Sequence, residues 1–180
     1  MPIKNFISLV FLIVSLSAEG QTQQYRSQSA LVSISLINER QSVTFKTLDA
    51  YLLINKQNGD FALRVNPASL QPAERRDSAY QPQLKTLQLL GEADFAGNVL
   101  SFDALEYTDP SQFELNLNGE LKVDNQVYNQ AVNLNYYLAN GEIREIYGTL
   151  QPNFSIQFLS QLSTKTFPVE KIKIQLSFKM

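Results

Sequence analysis

Phe113–Val123 reads FELNLNGELKV and Val127–Leu138 reads VYNQAVNLNYYL, with Asp124, Asn125 and Gln126 between them. Apolar side chains fall on alternate positions: Phe113, Leu115, Leu117, Leu121 and Val123, then Val132, Leu134, Tyr136 and Leu138. The residues between them are mostly Glu, Asn, Lys or Gln. A β-strand sends successive side chains to opposite faces, so a period of two predicts two strands, each with one buried and one wet face. The residues at 124–126 must then form the turn that joins them. No catalytic motif lies in this stretch.

Outward from this pair, toward the C-terminus, Asn140-Gly141 is a hairpin signal, because both residue types tolerate positive φ. Glu142–Leu150 follows as a strand, with Gly148 as a weak point or bend, and Pro152-Asn153 forms a turn. Phe154, Ile156 and Phe158 alternate and predict a further strand. The segment from Ser160 to Pro168 is irregular. Ile172, Ile174, Leu176, Phe178 and Met180 then end the sequence with regular alternation.

Toward the N-terminus, Phe95 to Tyr107 carries strand signals, with Gly97-Asn98 expected to mark a bulge or kink and Thr108–Ser111 a turn. Asn66–Asp94 is different in kind. Pro67, Pro72 and Pro82 exclude a central strand, and Glu74-Arg75-Arg76-Asp77 is charged. Leu84, Leu87 and Leu90 have helical spacing and Gly91 could end the helix, so a long crossing loop with one short helix is predicted. Ala50–Val65 predicts a hairpin about Asn58-Gly59. Ser42–Phe45 and Leu31–Ile37, with Val32, Ile34 and Leu36 on one face, are further strands. The polar run from Gln21 to Ser29 is expected as a loose arm. About eight to ten strands joined by short connections predict an all-β, antiparallel fold, either a barrel or a β-sandwich.

The N-terminus has its own logic. Lys4 precedes an apolar run from Phe6 to Leu16, and Ala18-Glu19-Gly20 places small residues at the two cleavage-defining positions. This is the pattern of a secretory signal peptide spanning 1–20, too short for a comfortable membrane span. The expected organisation is therefore a signal peptide at 1–20, a flexible arm at 21–29 and one β-barrel domain at 30–180. No integral span is expected after cleavage.

Composition narrows the chemistry. The 180 residues are 44% hydrophobic and 18% charged, a composition that folds. A formal net charge of -2 with no dense cationic patch offers nothing to nucleic acid or an anionic membrane surface. Cys and His are both absent. Disulfides, thiolate metal sites, a Cys lipid anchor, and the commonest general base and metal ligand are thereby excluded. Exported and free of Cys, the protein fits a bacterial periplasm or secretion from such a cell. No nucleophile elbow, phosphate loop or dinucleotide fingerprint is present. Asp94, Asp103, Glu106 and Asp109 read as a wet face and Glu142, Arg144 and Glu145 as a surface ion-pair edge, so no enzyme is expected. An outer-membrane barrel is disfavoured by the long crossing loop and the short strands.

The order of elements resembles the YceI-like family of exported, lipocalin-like barrels. Tyr51–Val65 (YLLINKQNGDFALRV) is similar to the family's early hairpin and Asn66–Leu70 (NPASL) to the lead into its long loop. Phe95–Val99 resembles the strand after the loop. Phe113–Val123, with Gly119, Leu121 and Val123, resembles the central phrase of the family, G-x-L-x-V, and Ile172–Phe178 the closing strand. Arg76-Asp77 stands where the family carries an Arg-Asp pair, but the following His and Phe-rich stretch are missing, and Asn125 replaces a customary Gly. The protein thus resembles a divergent member.

The resemblance implies a closed antiparallel barrel of about eight strands around an apolar tunnel that holds a polyisoprenoid or similar elongated lipid, with no other cofactor. The tunnel is expected to be lined by Phe61, Leu63, Phe95, Leu115, Leu117, Leu134, Tyr136, Phe154 and Ile156, with Arg75 and Arg76 available to a headgroup. The alternative is a non-catalytic structural or interaction protein with the same barrel and a filled interior, since Phe, Tyr and Leu dominate the inward positions. Partners beyond an apolar lipid, and the oligomeric state, are not legible. Mass spectrometry of the product exported from a bacterial host should find Gln21 as the first residue. A product that keeps Phe6–Leu16 would overturn the cleaved leader.

Overall fold

The computed structural model describes residues 24–55, 58–99, 111–140 and 142–180. The expected signal peptide at 1–20, the strand and turn expected over 100–110, and Gly141 of the second hairpin signal lie outside them. Eleven strands follow in order: β1 Gln24–Arg26, β2 Ser29–Ile37, β3 Ser42–Thr47, β4 Ala50–Asn55, β5 Asp60–Val65, β6 Gln71–Pro72, β7 Ala93–Val99, β8 Ser111–Val123, β9 Gln126–Ala139, β10 Glu142–Leu150 and β11 Lys171–Lys179. Two short helices interrupt them, α1 at Gln81–Gln88 and α2 at Ile156–Leu162.

The hairpins form where local chemistry demands them. Asp124 and Asn125 have φ of 49° and 60°, the paired left-handed conformation of a two-residue turn. This turn pairs β8 with β9 from Ser111–Leu138 down to Val123–Gln126 without a break. Gly59, at φ 71°, closes the β4–β5 hairpin by donating its N–H to the carbonyl of Asn55 at 2.9 Å. Asn140, at φ 56°, begins the turn into β10.

The strands pair antiparallel throughout, in one sheet ordered β1-β4-β5-β7-β8-β9-β10-β11-β2-β3-β6. A sandwich needs two sheets, and the described strands make one. The sheet is barrel-like but open, which corrects the expected closed barrel of about eight strands. The order changes hands at Ser27 and Gln28. The Ser27 N–H donates to the Leu52 carbonyl at 3.0 Å on one side, and the Gln28 N–H to the Lys179 carbonyl at 2.7 Å on the other. The backbone changes partner there, from β4 to β11. The second edge of β2 is taken by β3, while β4 lies between β1 and β5. The segment expected as a loose arm at 21–29 thus contributes β1, with Tyr25 buried against the core.

Two further expectations are corrected. Gly97-Asn98 makes no bulge: β7 stays in register with β5 from Asp60–Asn98 to Val65–Ala93. Gly97 lies opposite Gly119 of β8 instead, and the backbones approach closely. A Cβ on Gly97 would sit 2.4 Å from the Asn118 carbonyl oxygen, and one on Gly119 2.3 Å from that of Ala96. The shift in register falls in β10, between Ile143 and Glu145. The strand expected from Phe154, Ile156 and Phe158 is helix α2. Ser155 caps it, its Oγ accepting the Phe158 N–H at 3.2 Å, and Phe158 and Leu162, four residues apart, share the buried face.

Inward side chains of the strands, together with Leu84 and Leu87 of α1 and Phe158 and Leu162 of α2, form one continuous core. Gly97→Ala and Gly119→Ala should each lower stability in urea unfolding by about 1–3 kcal/mol, because backbone atoms must move to admit the methyl group. Wild-type midpoints in both would show that the close approach of β7 and β8 is not tight.

Candidate functional site

The helix-bearing end of the sheet holds an apolar cavity of ≈ 60 Å³. Its walls come from elements far apart in sequence. Ile34 of β2 and Ile174 of β11 meet Leu63 of β5, Phe95 of β7 and Val123 of β8. Leu87 of α1, Leu90 just beyond it, Phe154 just before α2 and Phe158 within it add to the lining. The remaining wall residues are apolar as well, and none is titratable.

The covering elements are held by rings and by two amides. Phe154 and Phe158 stack at 4.5 Å between centroids, and Tyr128 of β9 meets both edge-on, at 4.8 and 6.3 Å. The Tyr128 hydroxyl donates to Gln126 Oε1, which satisfies its polar end beside the apolar wall. Gln83 of α1, itself buried, donates from Nε2 to Thr164 Oγ1 at 3.2 Å and so ties α1 to the segment after α2. Gln88 donates to the Leu70 carbonyl at 2.9 Å. Tyr80, just before α1, packs edge-on against Phe167 at 5.2 Å.

Of the residues expected to line a tunnel, Leu63, Phe95 and Phe154 line this cavity. Phe61 is buried beside it, edge-on to Phe95 at 5.9 Å. Leu117, Leu134 and Tyr136 are buried in the core without reaching the cavity. The Leu115 side chain lies outside the described residues. Ile156 is corrected: as the first residue of α2 it is 83% exposed, pointing to solvent, because the helix turns its other face inward.

Arg75 and Arg76 sit exposed on a 3-10 turn at Arg75–Ala79, and neither lines the cavity. Arg76 Nε pairs with Glu74 at 3.0 Å and lies 3.8 Å from Asp77, whose buried carboxylate accepts the Glu74 N–H. The cations expected for a headgroup are thus not brought to the apolar walls. Most of the cavity residues that sequence reasoning missed lie on strands, among them Val32, Ile34, Val65, Leu121 and Val123, and three lie on the covering elements: Leu87, Leu90 and Phe158. Leu87 and Leu90 were visible as a helical pair, and the i, i+4 spacing of Phe158 to Leu162, a core residue outside the cavity, was masked by the alternation of 154, 156 and 158.

The walls hold no acid, base or nucleophile and present apolar surface alone. Among the described residues, no three acidic side chains come together in a way that could hold a metal ion.

No family model matches the sequence, and no curated relative does. Solved structures do match. A polyisoprenoid-binding domain from Saccharophagus degradans, implicated in plant cell wall breakdown, superposes with a TM-score of 0.55 at 12% identity, covering 87% of this protein and 97% of that one. BcnA of Burkholderia cenocepacia superposes with a TM-score of 0.51 at 11% identity, covering 83% and 94%. The fold is shared with these two structures. At these identities the likeness is one of fold, and the side chains at the cavity must speak for themselves.

The covering helix gives a direct check on the site's construction. Phe158→Ala should lower stability by about 3–5 kcal/mol, as expected for a buried ring, and Ser155→Ala by about 1 kcal/mol for a lost cap. Equal, small losses by urea unfolding would show that α2 is not packed on the core.

Proposed function

We propose that this protein is an exported, non-catalytic carrier of an elongated apolar lipid of the polyisoprenoid class. The hydrocarbon would lie in the cavity beneath α1 and α2. The observation that carries the proposal is a lining made wholly of apolar residues, at the end of the sheet that helices cover. The fold supports it at a coarser level, because one structural neighbour is a polyisoprenoid-binding domain. Binding would be driven by burial of apolar surface, at about 25 cal/mol per Å² before ordering costs. A cavity of ≈ 60 Å³ is small beside the roughly 300–1,000 Å³ of typical ligand sites, so a long lipid requires α1 and α2 to move outward. The polar links that hold α1, from Gln83 and Gln88, are few and neutral. Export to a periplasm or beyond rests on the N-terminal signal pattern. Among the described residues no helix is long and apolar enough to cross a membrane.

A second reading is favoured by the same small volume. Phe45, Phe61, Tyr136 and Phe178 are at most 2% exposed, and the interior around the cavity is a packed core. On that reading the protein keeps the fold as a structural or interaction module with a filled interior.

The two readings separate in one experiment. The full-length protein is incubated with phosphatidylcholine vesicles doped with a long-chain polyprenol, repurified, extracted with organic solvent and analysed by mass spectrometry. The carrier reading expects polyprenol to co-purify, and Ala93→Trp, which fills the cavity from β7, to reduce uptake by about tenfold or more. Well-folded wild-type protein without lipid would sink the carrier and leave the filled module.

A further inference from the structure

The outer face of the sheet is not uniform. Across β5, β7 and β8 it is charged and self-neutralised: Arg64 Nε donates to Asp94 at 2.7 Å and Arg64 reaches Glu92 at 3.3 Å, with Glu120 and Lys122 alongside. The hydrogen bond to Asp94, then the charges of Asp94 and Glu92, hold the Arg64 pKa above its ordinary value. Across β9, β10, β11 and β2 the outer face instead carries a furrow of ≈ 600 Å³, and none of the side chains that line it is charged.

The register sets out this furrow as cross-strand rows. Asn135, Tyr147, Ser177 and Leu31 lie side by side on four successive strands. Thr149, Gln175 and Ser33 form the neighbouring row, and Asn133 stands two residues from Asn135 on the same face. Adjacent strands are spaced by about 4.8 Å, so these groups are held at fixed intervals on a rigid support. Ser177 makes one long bond to Glu145, at 3.5 Å. The side chains of Asn133, Asn135, Tyr147 and Gln175 make no hydrogen bond to any described residue. Three amides and a phenol are thus uncommitted within one furrow.

We propose that this furrow binds a neutral oligosaccharide. An amide offers two donors and an acceptor at once, which suits a ligand whose hydroxyls each donate and accept. The Tyr147 ring and the Leu31 side chain supply apolar surface for the C–H face of a sugar ring. The lining holds no cation for a phosphate backbone or an acidic peptide, and the charge that touches it, Glu145 through Ser177, is negative. The site is separate from the cavity beneath the helices and does not depend on lipid binding.

The test titrates the full-length ¹⁵N-labelled protein with soluble cello-, manno-, malto- and chito-oligosaccharides, followed by NMR. Side-chain amide shifts of Asn133, Asn135 and Gln175 are expected with at least one of these sugars. Tyr147→Ala and the isosteric Asn135→Asp should each weaken binding by about tenfold, with thermal melts confirming that both variants fold. No shift with any neutral sugar overturns the proposal. Stronger binding of polygalacturonate than of every neutral sugar overturns the ligand class, and unchanged affinity in both variants overturns the location.

Discussion

The left-handed pair at Asp124 and Asn125 sets the register on which the rest of the sheet depends. A strand's side chains alternate with a period of two, so a slip of one residue would turn Leu117, Leu121, Val132, Leu134 and Tyr136 outward together. Asn and Asp are among the few side chains that tolerate positive φ, and here two of them stand in succession. From the β8–β9 hairpin the register passes to β7 through the Gly97–Gly119 contact, where the absence of side chains lets the strands close up. It passes to β10 and β11 on the other side, and through β11 to β2.

The two ends of this curved sheet are then treated differently. Where no helix covers it, strand side chains fill the interior, and residues such as Tyr136 and Phe178 are enclosed. At the other end the strands leave a gap that α1 and α2 roof over with Leu87, Leu90, Phe154 and Phe158. A roof of short helices can shift without breaking the sheet's backbone ladder, whereas a strand cannot. This is why the helix-covered end is the physically reasonable place for an apolar guest, and why the same protein can be read as a packed module at one end and a container at the other.

Charge is distributed by the same logic. Among the described residues the interior carries no unpartnered carboxylate: Asp77, buried, accepts a backbone N–H and lies near Arg76. The outward face holds a self-neutralised charged patch about Arg64 and Asp94 and, along β9 to β2, a furrow lined by amides and hydroxyls without a charged side chain. A folded sheet requires only that the outward face be polar, so this division is not a demand of stability.

Much of the architecture was legible because it is local. Alternation in Phe113–Leu138 and Ile172–Met180, the turns at Asn58-Gly59 and Asp124-Asn125, and the spacing of Leu84 and Leu87 all depend on residues a few positions apart. Three features misled for physical reasons. Alternating Phe154, Ile156 and Phe158 fit a strand, but Ser155 as a cap and the i, i+4 pair Phe158–Leu162 favour a helix, which packing against Tyr128 selects. Gly97 looked like a bulge, because a lone glycine says nothing of the glycine it will face. The strand order was invisible, since Ser27 and Gln28 bond to Leu52 and Lys179, partners that the fold alone brings near. Which faces of the strands are buried follows from residue order, because that is a matter of period. That Leu63, Phe95 and Phe154 share one cavity while Leu117, Leu134 and Tyr136 do not is settled in three dimensions, because a cavity is a volume left between distant segments and no single stretch of sequence encodes it.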